Sequence, residues 1–523
     1  MKRLRFLALL GWSLLSLAGC GDSAAPPPLV APATADAFTR LAAAQVRAEV
    51  RWAPEMTVFA HLPLPADALP AIAPEAVALR VAAARVAVEQ AKALPVATLA
   101  PESREALALF LRQREEELEG ARYPEELFPL SAPDGGFALW AMTALARGEV
   151  VPETAADHAA WLQVLGQVPA WVDAAIANLN QAEARGLGLA PEAWRSLSAQ
   201  VARAAAADVL PPSGAWGNVS AAAQQALSAR YTALTAEKLR PAFRRLQVRL
   251  ELATHQAKDT PVWADLPLGE EWYAFRLRRA TGMPFTPRQW HDAALAEVQQ
   301  LERRLAGATL PVVAASVQDS APVLAMALIP AISPLTWERL SLAEVPAWRR
   351  STLQPAHRDG YGVYRLLVRG EVAAPSNSTA AGDAAAAEAA LKEVRDQVAL
   401  LVIDTGLHGL GWNRQQAVEY LAAHSRWQGA TALDQVGAVL ASAGWLAAPA
   451  AGGLRLWQLR QGLAAQQGAG FDEALFDQQL GAWGLLPLGA LEPRMRAWAD
   501  AATAAAALAG TAALVVPLAP LAP

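Results

Sequence analysis

Apolar positions recur along this chain with a helical period far more often than with the alternation of strands. Between Thr154 and Arg185, Trp161, Val164, Leu165 and Val168 fall at three- and four-residue spacing. Trp171, Ala174, Ala175 and Leu179 repeat the pattern, which predicts two helical stretches that Gly186 and Gly188 end. Thr286-Pro287-Arg288-Gln289 combines a capping box with proline at the first helical position and opens a predicted helix to about Leu305. Asn413-Arg414-Gln415-Gln416 reads the same way, starting a helix through Ala417, Tyr420 and Leu421. The Ser-, Asn-, Gly- and Ala-rich stretch from Pro375 to Ala387 reads as an exposed loop feeding a helix that begins near Glu388. The apolar tail from Ala501 to Pro523 is broken by Gly510, Pro517, Pro520 and Pro523, and reads as a packed helix followed by an extended end. Strand signals are scarce and no repeat of fixed period is present. The expected fold is all-α, one large helical domain in one lobe or two.

The N-terminal pattern is different. Lys2, Arg3 and Arg5 precede an apolar run from Phe6 to Leu17, interrupted only by Gly11, Ser13 and Ser16. That run is too short to span a bilayer as a mature helix and has the order of an export signal. It ends in Leu17-Ala18-Gly19-Cys20, which resembles a bacterial lipobox, and the resemblance implies acylation of Cys20 as the new N-terminus. Gly21 to Pro28 is small, polar and then proline-rich, as suits a tether. Gly21, rather than aspartate, directly after the cysteine favours sorting to the outer membrane, facing the periplasm. The expected division is a signal peptide at 1–19, lipidated Cys20 and tether at 20–34, a helical body at 35–505 and an apolar tail at 506–523.

Composition narrows the function classes. Loss of Lys2, Arg3 and Arg5 with the leader takes the formal charge from -5 to -8, so no nucleic-acid partner is expected. Cys20 is the only cysteine; once acylated, it leaves no thiol for a disulfide, a nucleophile or a cysteine zinc site. An exported fold without disulfides rests on its core, and 523 residues with 54% hydrophobic content supply one. Serine-hydrolase elbows and phosphate-cradling glycine loops are absent from the sequence.

Several stretches, in matching order, resemble one bacterial family. They are Tyr123–Leu130 (YPEELFPL), Trp272–Arg279 (WYAFRLRR) with Phe285-Thr286-Pro287, Val402–His408 (VIDTGLH) with Gly411–Val418 (GWNRQQAV), and Leu486–Glu492 (LPLGALE). The family is domain of unknown function 885, and the resemblance covers about residues 35 to 505. It implies a helical fold of the gluzincin zinc-metallopeptidase type, with zinc as cofactor. The family's first motif, His-Glu-x-x-Pro-Gly-His-His, falls on Pro330–Trp337, where only the proline survives. Pro330, Thr336 and Trp337 stand where histidines belong, and Ala331 where the general base belongs. The second, Glu-Gly-Trp-Ala-x-Tyr-x-Glu, falls on Asp359–Leu366, with Asp359 for the ligand Glu and Leu366 for the last Glu. Leu400 replaces an expected Arg, and Arg455 and Leu456 follow Pro449-Ala450-Ala451 where Tyr and Lys belong. None of the seven histidines is followed by Glu. Ligands and base have gone together while caps and core signatures persist, so the expectation is a pseudoenzyme without a metal or cofactor.

The remaining polar residues of the implied cleft are His357, Asp359, Tyr361, Tyr364, Asp404 and His408. They are candidates for binding a ligand; none is assigned a catalytic role. Asp404 follows the apolar run Val398–Ile403, so its helix carries it inward, and a buried carboxylate needs a partner. His408, one turn on, is the obvious local one. The pair either closes the helix end, with Gly406, Gly409 and Gly411 allowing the turn, or lines a cleft. His357 and Asp359 make a poor zinc site by themselves. Tyr361, Tyr364, Trp337 and Trp348 are core or cleft-filling residues, Trp337 being placed to plug the former metal cavity. His291, at a capped helix start, reads as structural. Two functions stay open: a non-catalytic lipoprotein binding a peptide or envelope protein, and a hydrolase rebuilt around His357, Asp359, Asp404 and His408.

Overall fold

Alanine-rich segments with strong caps become helices wherever an apolar face can be buried, and that sequence logic accounts for this architecture. A computed structural model of the chain describes residues 36–513, with breaks at 61, 69, 132–135, 147–149, 208, 212–214, 258–262, 308–344, 351–353 and 373–380. The described residues contain helices and no strands. Cys20 with the leader and tether, the stretch Pro330–Trp337, and the extended end at 514–523 lie outside them.

The expected caps form. Thr286 N–H donates to Gln289 Oε1 at 2.9 Å and Gln289 N–H to Thr286 Oγ1 at 3.2 Å, opening the helix Pro287–Gly307. Asn413 and Gln416 close the same reciprocal box at the start of Arg414–His424. The Thr154–Arg185 segment is the two helices Ala155–Leu165 and Val168–Ala184, and Gly186 beyond them takes φ 71°. Two boundaries differ. The helix expected near Glu388 begins at Ala381 and runs to Gly409, because the alanines read as loop have the highest helix propensity of any residue. The C-terminal helix likewise starts at Leu488 rather than near Ala501, and continues through Gly510 to Ala513.

The helices pack about a principal core running from Tyr123 to Ala499, with a smaller one beside it. In the smaller core, Ala37–Glu49, Pro74–Lys92 and Pro101–Gly120 come together around Phe38, Phe110 and Trp348. The three rings meet edge to face at 5.5–5.9 Å, which places Trp348 as a core residue.

The helix Pro355–Val372 crosses Ala448–Gln467 at nearly backbone contact. A Cβ on Gly452 would lie 1.7 Å from the Ala356 carbonyl oxygen, and one on Gly360 would lie 2.7 Å from the Gly452 backbone. This crossing fixes the helix that carries His357, Asp359, Tyr361 and Tyr364. No helix of the described residues is long and apolar enough to cross a membrane.

Candidate functional site

Asp404 and His408 project from the last turns of Ala381–Gly409 into the principal core, both fully buried. They do not pair with each other. Tyr273 Oη donates to Asp404 Oδ1 at 2.6 Å, and the Gly444 N–H reaches both carboxylate oxygens at 3.0–3.1 Å. His408 accepts the Trp263 N–H at Nδ1 (3.3 Å) and donates from Nε2 to the Val439 carbonyl at 3.3 Å. Those bonds define the neutral Nε2–H tautomer. Glycine is required at 444, where φ is 79° and a Cβ would lie 2.9 Å from the Leu277 nitrogen.

Arg276 closes the network from the helix Gly269–Thr281. Its Nε donates to the Ala443 carbonyl at 2.9 Å, Nη2 to the Ser131 carbonyl at 2.5 Å, and Nη1 to both Glu125 oxygens at 3.0–3.1 Å. Trp272 Nε1 adds a bond to Glu125 Oε1, and the guanidinium lies 4.1 Å from the Trp263 ring centroid. The Trp263 indole donates in turn to the Leu440 carbonyl at 3.0 Å. Three of the stretches that carry the family resemblance, around Glu125, Tyr273 and Asp404, therefore meet in one place.

Electrostatics follow from burial. Desolvation pushes the Asp404 carboxyl up to about 7, against the opposing pull of the Tyr273 hydroxyl, the Gly444 N–H and the Arg276 charge. Desolvation also drives His408 down to about 3 and lifts the Tyr273 hydroxyl well above its usual range, the latter helped by Asp404. Such shifts mark catalytic groups when they face a cleft, but buried structural networks produce them as well. Here both carboxylate oxygens and both ring nitrogens already have intrachain partners.

His357 lies elsewhere. It is fully buried near the start of Pro355–Val372, accepts the Leu486 N–H at Nδ1 (3.0 Å), and also contacts the Leu480 backbone. Burial lowers it to about 4. Asp359 faces Arg358, whose Nε and Nη2 hold its two oxygens at 2.8 and 3.1 Å. Tyr364 donates to Asp477 Oδ1 at 2.9 Å, Arg365 pairs with the other Asp477 oxygen, and Tyr361 packs against the Tyr364 ring at 5.8 Å. Desolvation raises Tyr361 to about 12.

The six candidates are thus divided among separate sets: Asp404 and His408 beneath residues 439–444, His357 against 480–486, Asp359 on Arg358, and the two tyrosines beside Asp477. Zinc does not fit these positions, since the Nδ1 of His357 and both oxygens of Asp359 are committed to protein donors. Among the described residues, no three His, Cys, Asp or Glu side chains stand close enough to hold a metal ion. His291 is structural, as expected: its Nδ1 meets the Val402 carbonyl at 3.1 Å and Thr405 Oγ1 at 3.0 Å. The residues that sequence reading missed are Trp263, Tyr273, Arg276 and Gly444. One signal was available: an arginine on the same helical face as Trp272 and Tyr273 points inward and calls for a carboxylate.

Neither of two concavities in the described body is lined by any of the six candidates. One, of about 710 Å³, lies between the helices Val168–Ala184, Pro191–Ala206 and Arg240–Gln256; the other, of about 30 Å³, lies beside Trp348 and Leu486.

The fold has solved counterparts. A "putative lipoprotein" of Colwellia psychrerythraea superposes with a TM-score of 0.63 at 16% identity, over 88% of this chain and 99% of that one. A "putative lipoprotein of unknown function" of Shewanella oneidensis gives 0.57 at 13% identity, over 88% and 100%. No curated protein matches the sequence. The model of the family described as bacterial protein of unknown function (DUF885) matches residues 54–325 and 340–495, most of the chain. The all-helical body, its converging signature stretches and this match together show that the chain belongs to the DUF885 family.

Proposed function

We propose that this protein is a lipid-anchored lipoprotein of the bacterial envelope that binds a peptide or protein partner and does not catalyse. The observation that carries the non-catalytic part is the saturation of Asp404 and His408. Every polar atom of the two side chains is held by the protein itself, so the most family-typical polar residues brace the core. The sequence supports the same reading, because no histidine is followed by glutamate and the counterpart of the metal motif keeps only its proline. On this view the fold descends from a peptidase-like ancestor and outlived its chemistry.

The anchor rests on Leu17-Ala18-Gly19-Cys20 after a short apolar leader, and Gly21 supports the outer membrane. The two similar structures carry the description "putative lipoprotein", which agrees. The test is metal analysis of protein purified without chelator, together with fatty-acid labelling of the wild type and C20S. The expected results are no stoichiometric zinc and labelling confined to the wild type. Stoichiometric zinc that disappears in H357A or D359N would refute the reading in favour of a rebuilt hydrolase.

A further inference from the structure

The cavity of about 710 Å³ has an apolar wall that includes Leu179, Leu187, Trp194 and Leu266. Four charged residues also line it: Glu183, Arg185, Arg249 and Asp265. Their pairing is uneven. Arg249, only 8% exposed, donates from Nε to Asn180 Oδ1 at 2.6 Å and from Nη2 to the Leu179 carbonyl at 3.1 Å and Glu183 Oε2 at 2.6 Å. Glu183 is thereby neutralised, and Asp265 is engaged in an interaction of its own. Arg249 Nη1 is buried without an acceptor. Arg185 is exposed and forms no ion pair among the described residues. The formal charges of the lining balance, and with Arg249 spent on Glu183 the group left without an ion pair among the described residues is the Arg185 guanidinium, whose planar fork matches a carboxylate. Arg249 Nη1 is itself closed to solvent, so Arg249 acts on the cavity through its charge and Arg185 is the guanidinium a ligand reaches.

We propose that this cavity binds an apolar ligand carrying one carboxylate, its chain against Leu187, Trp194 and Leu266 and its charge beside Arg185 and Arg249. The volume lies in the range of small-molecule and short-peptide sites. This deepens the binding role proposed above by naming its site and ligand class. A hydrophobic peptide with a free C-terminus and a free fatty acid share this chemistry.

Gly188 provides a clean block. It lines the cavity, its φ lies outside the left-handed range, and a Cβ built on it meets nothing within 4 Å. G188F therefore adds a ring to the cavity wall without a clash at its Cβ, and an unchanged melting temperature checks that the fold is kept. The experiment is calorimetric titration of the full lipoprotein in nanodiscs with Ala-Leu-Leu, its C-terminal amide, and hexanoate. The expected result is binding of at least one acid, and whichever binds more tightly identifies the source. The peptide acid, if bound, exceeds its amide at least tenfold; R185Q weakens the bound acid at least tenfold, and G188F weakens it by narrowing the cavity. Absence of binding by both acids, an amide equal to its acid, or undiminished binding to G188F would overturn the proposal. Zinc content measured on the same sample tests the non-catalytic reading separately, whatever the titration gives.

Discussion

Replacing Gly452 by alanine adds one methyl group where two helices already touch. The new Cβ would lie 1.7 Å from the Ala356 carbonyl oxygen, 2.5 Å from its carbon and 2.8 Å from its Cα. Ordinary contact begins near 3.4 Å, and the obstacle is backbone, which cannot rotate away. The helices Pro355–Val372 and Ala448–Gln467 must therefore separate by well over 1 Å at the crossing. A gap of that size forfeits a large part of the dispersion energy along the pair. Overpacking a rigid core costs about 1–3 kcal/mol, and a backbone clash belongs at the upper end. Alanine's better helix propensity returns about 1 kcal/mol, leaving G452A destabilised by roughly 2 kcal/mol. Gly462, ten residues along the same helix, is the control. It is exposed, and a Cβ there meets nothing within 4 Å, so G462A collects the propensity gain alone, about 0.5–1 kcal/mol. Urea unfolding followed by circular dichroism should move the two midpoints in opposite directions. A G452A midpoint equal to or above the wild type would refute the crossing as described.

Three further outcomes are expected. Burial holds His357 near 4 and His408 near 3, whereas the unfolded chain protonates both near 6.5, so their stabilising effect is full above pH 6.5 and lost as pH falls toward 3–4, by several kcal/mol in all. Asp404 works in the opposite sense: raised to about 7, it contributes fully below pH 4 and loses that contribution as pH rises through 7. Urea midpoints between pH 4 and 8 should show a shallower acid decline in H408Q and a smaller loss toward neutrality in D404N; unchanged profiles would contradict the burial described. R276M leaves Glu125 with the Trp272 indole but no ion pair and strips donors from the Ser131 and Ala443 carbonyls; because Glu125 keeps 25% exposure, the cost is about 3 kcal/mol, and an unfolding free energy within about 0.5 kcal/mol of the wild type (the scatter of surface substitutions) would count against the network. Leu268 is the one non-glycine with positive φ among the described residues (57°) and is half exposed, so L268N, which tolerates that conformation, should raise the unfolding free energy in urea by about 1 kcal/mol.

How much of this was legible depends on the range of the interaction. Local signals carried through: the Thr286 and Asn413 boxes, and the inward course of Asp404 after an unbroken apolar run, all depend on neighbours a few residues away. The loop expected up to Ala387 failed because low-complexity composition was weighed above alanine's own propensity. The Asp404–His408 pairing failed for a different reason. Helix spacing nominates the nearest partner, but the real ones are Tyr273 and Gly444, 131 and 40 residues distant, and only the packed fold brings them in. The cavity was invisible for the same reason, since its lining comes from four segments with no shared motif. Each signature stretch could be recognised, whereas their convergence on Arg276 had no trace in spacing.

The bond from Trp263 to His408 bears on the cavity at some distance from the core. Trp263 opens the short turn that continues into Asp265, Leu266 and Pro267 of the lining, and so short a turn has almost no hydrogen-bond ladder of its own. Beside the indole bond to Leu440 and the Arg276 guanidinium on its ring, its backbone is held by a latch, in which an imidazole lone pair receives the Trp263 N–H. The latch fails only when that lone pair takes a proton, and burial postpones this to about pH 3. Over the whole interval in which an ordinary histidine changes charge, this bond keeps its acceptor. Amide hydrogen exchange at Trp263 should accordingly stay slow through mild acidification, in a fresh medium and a soured one alike.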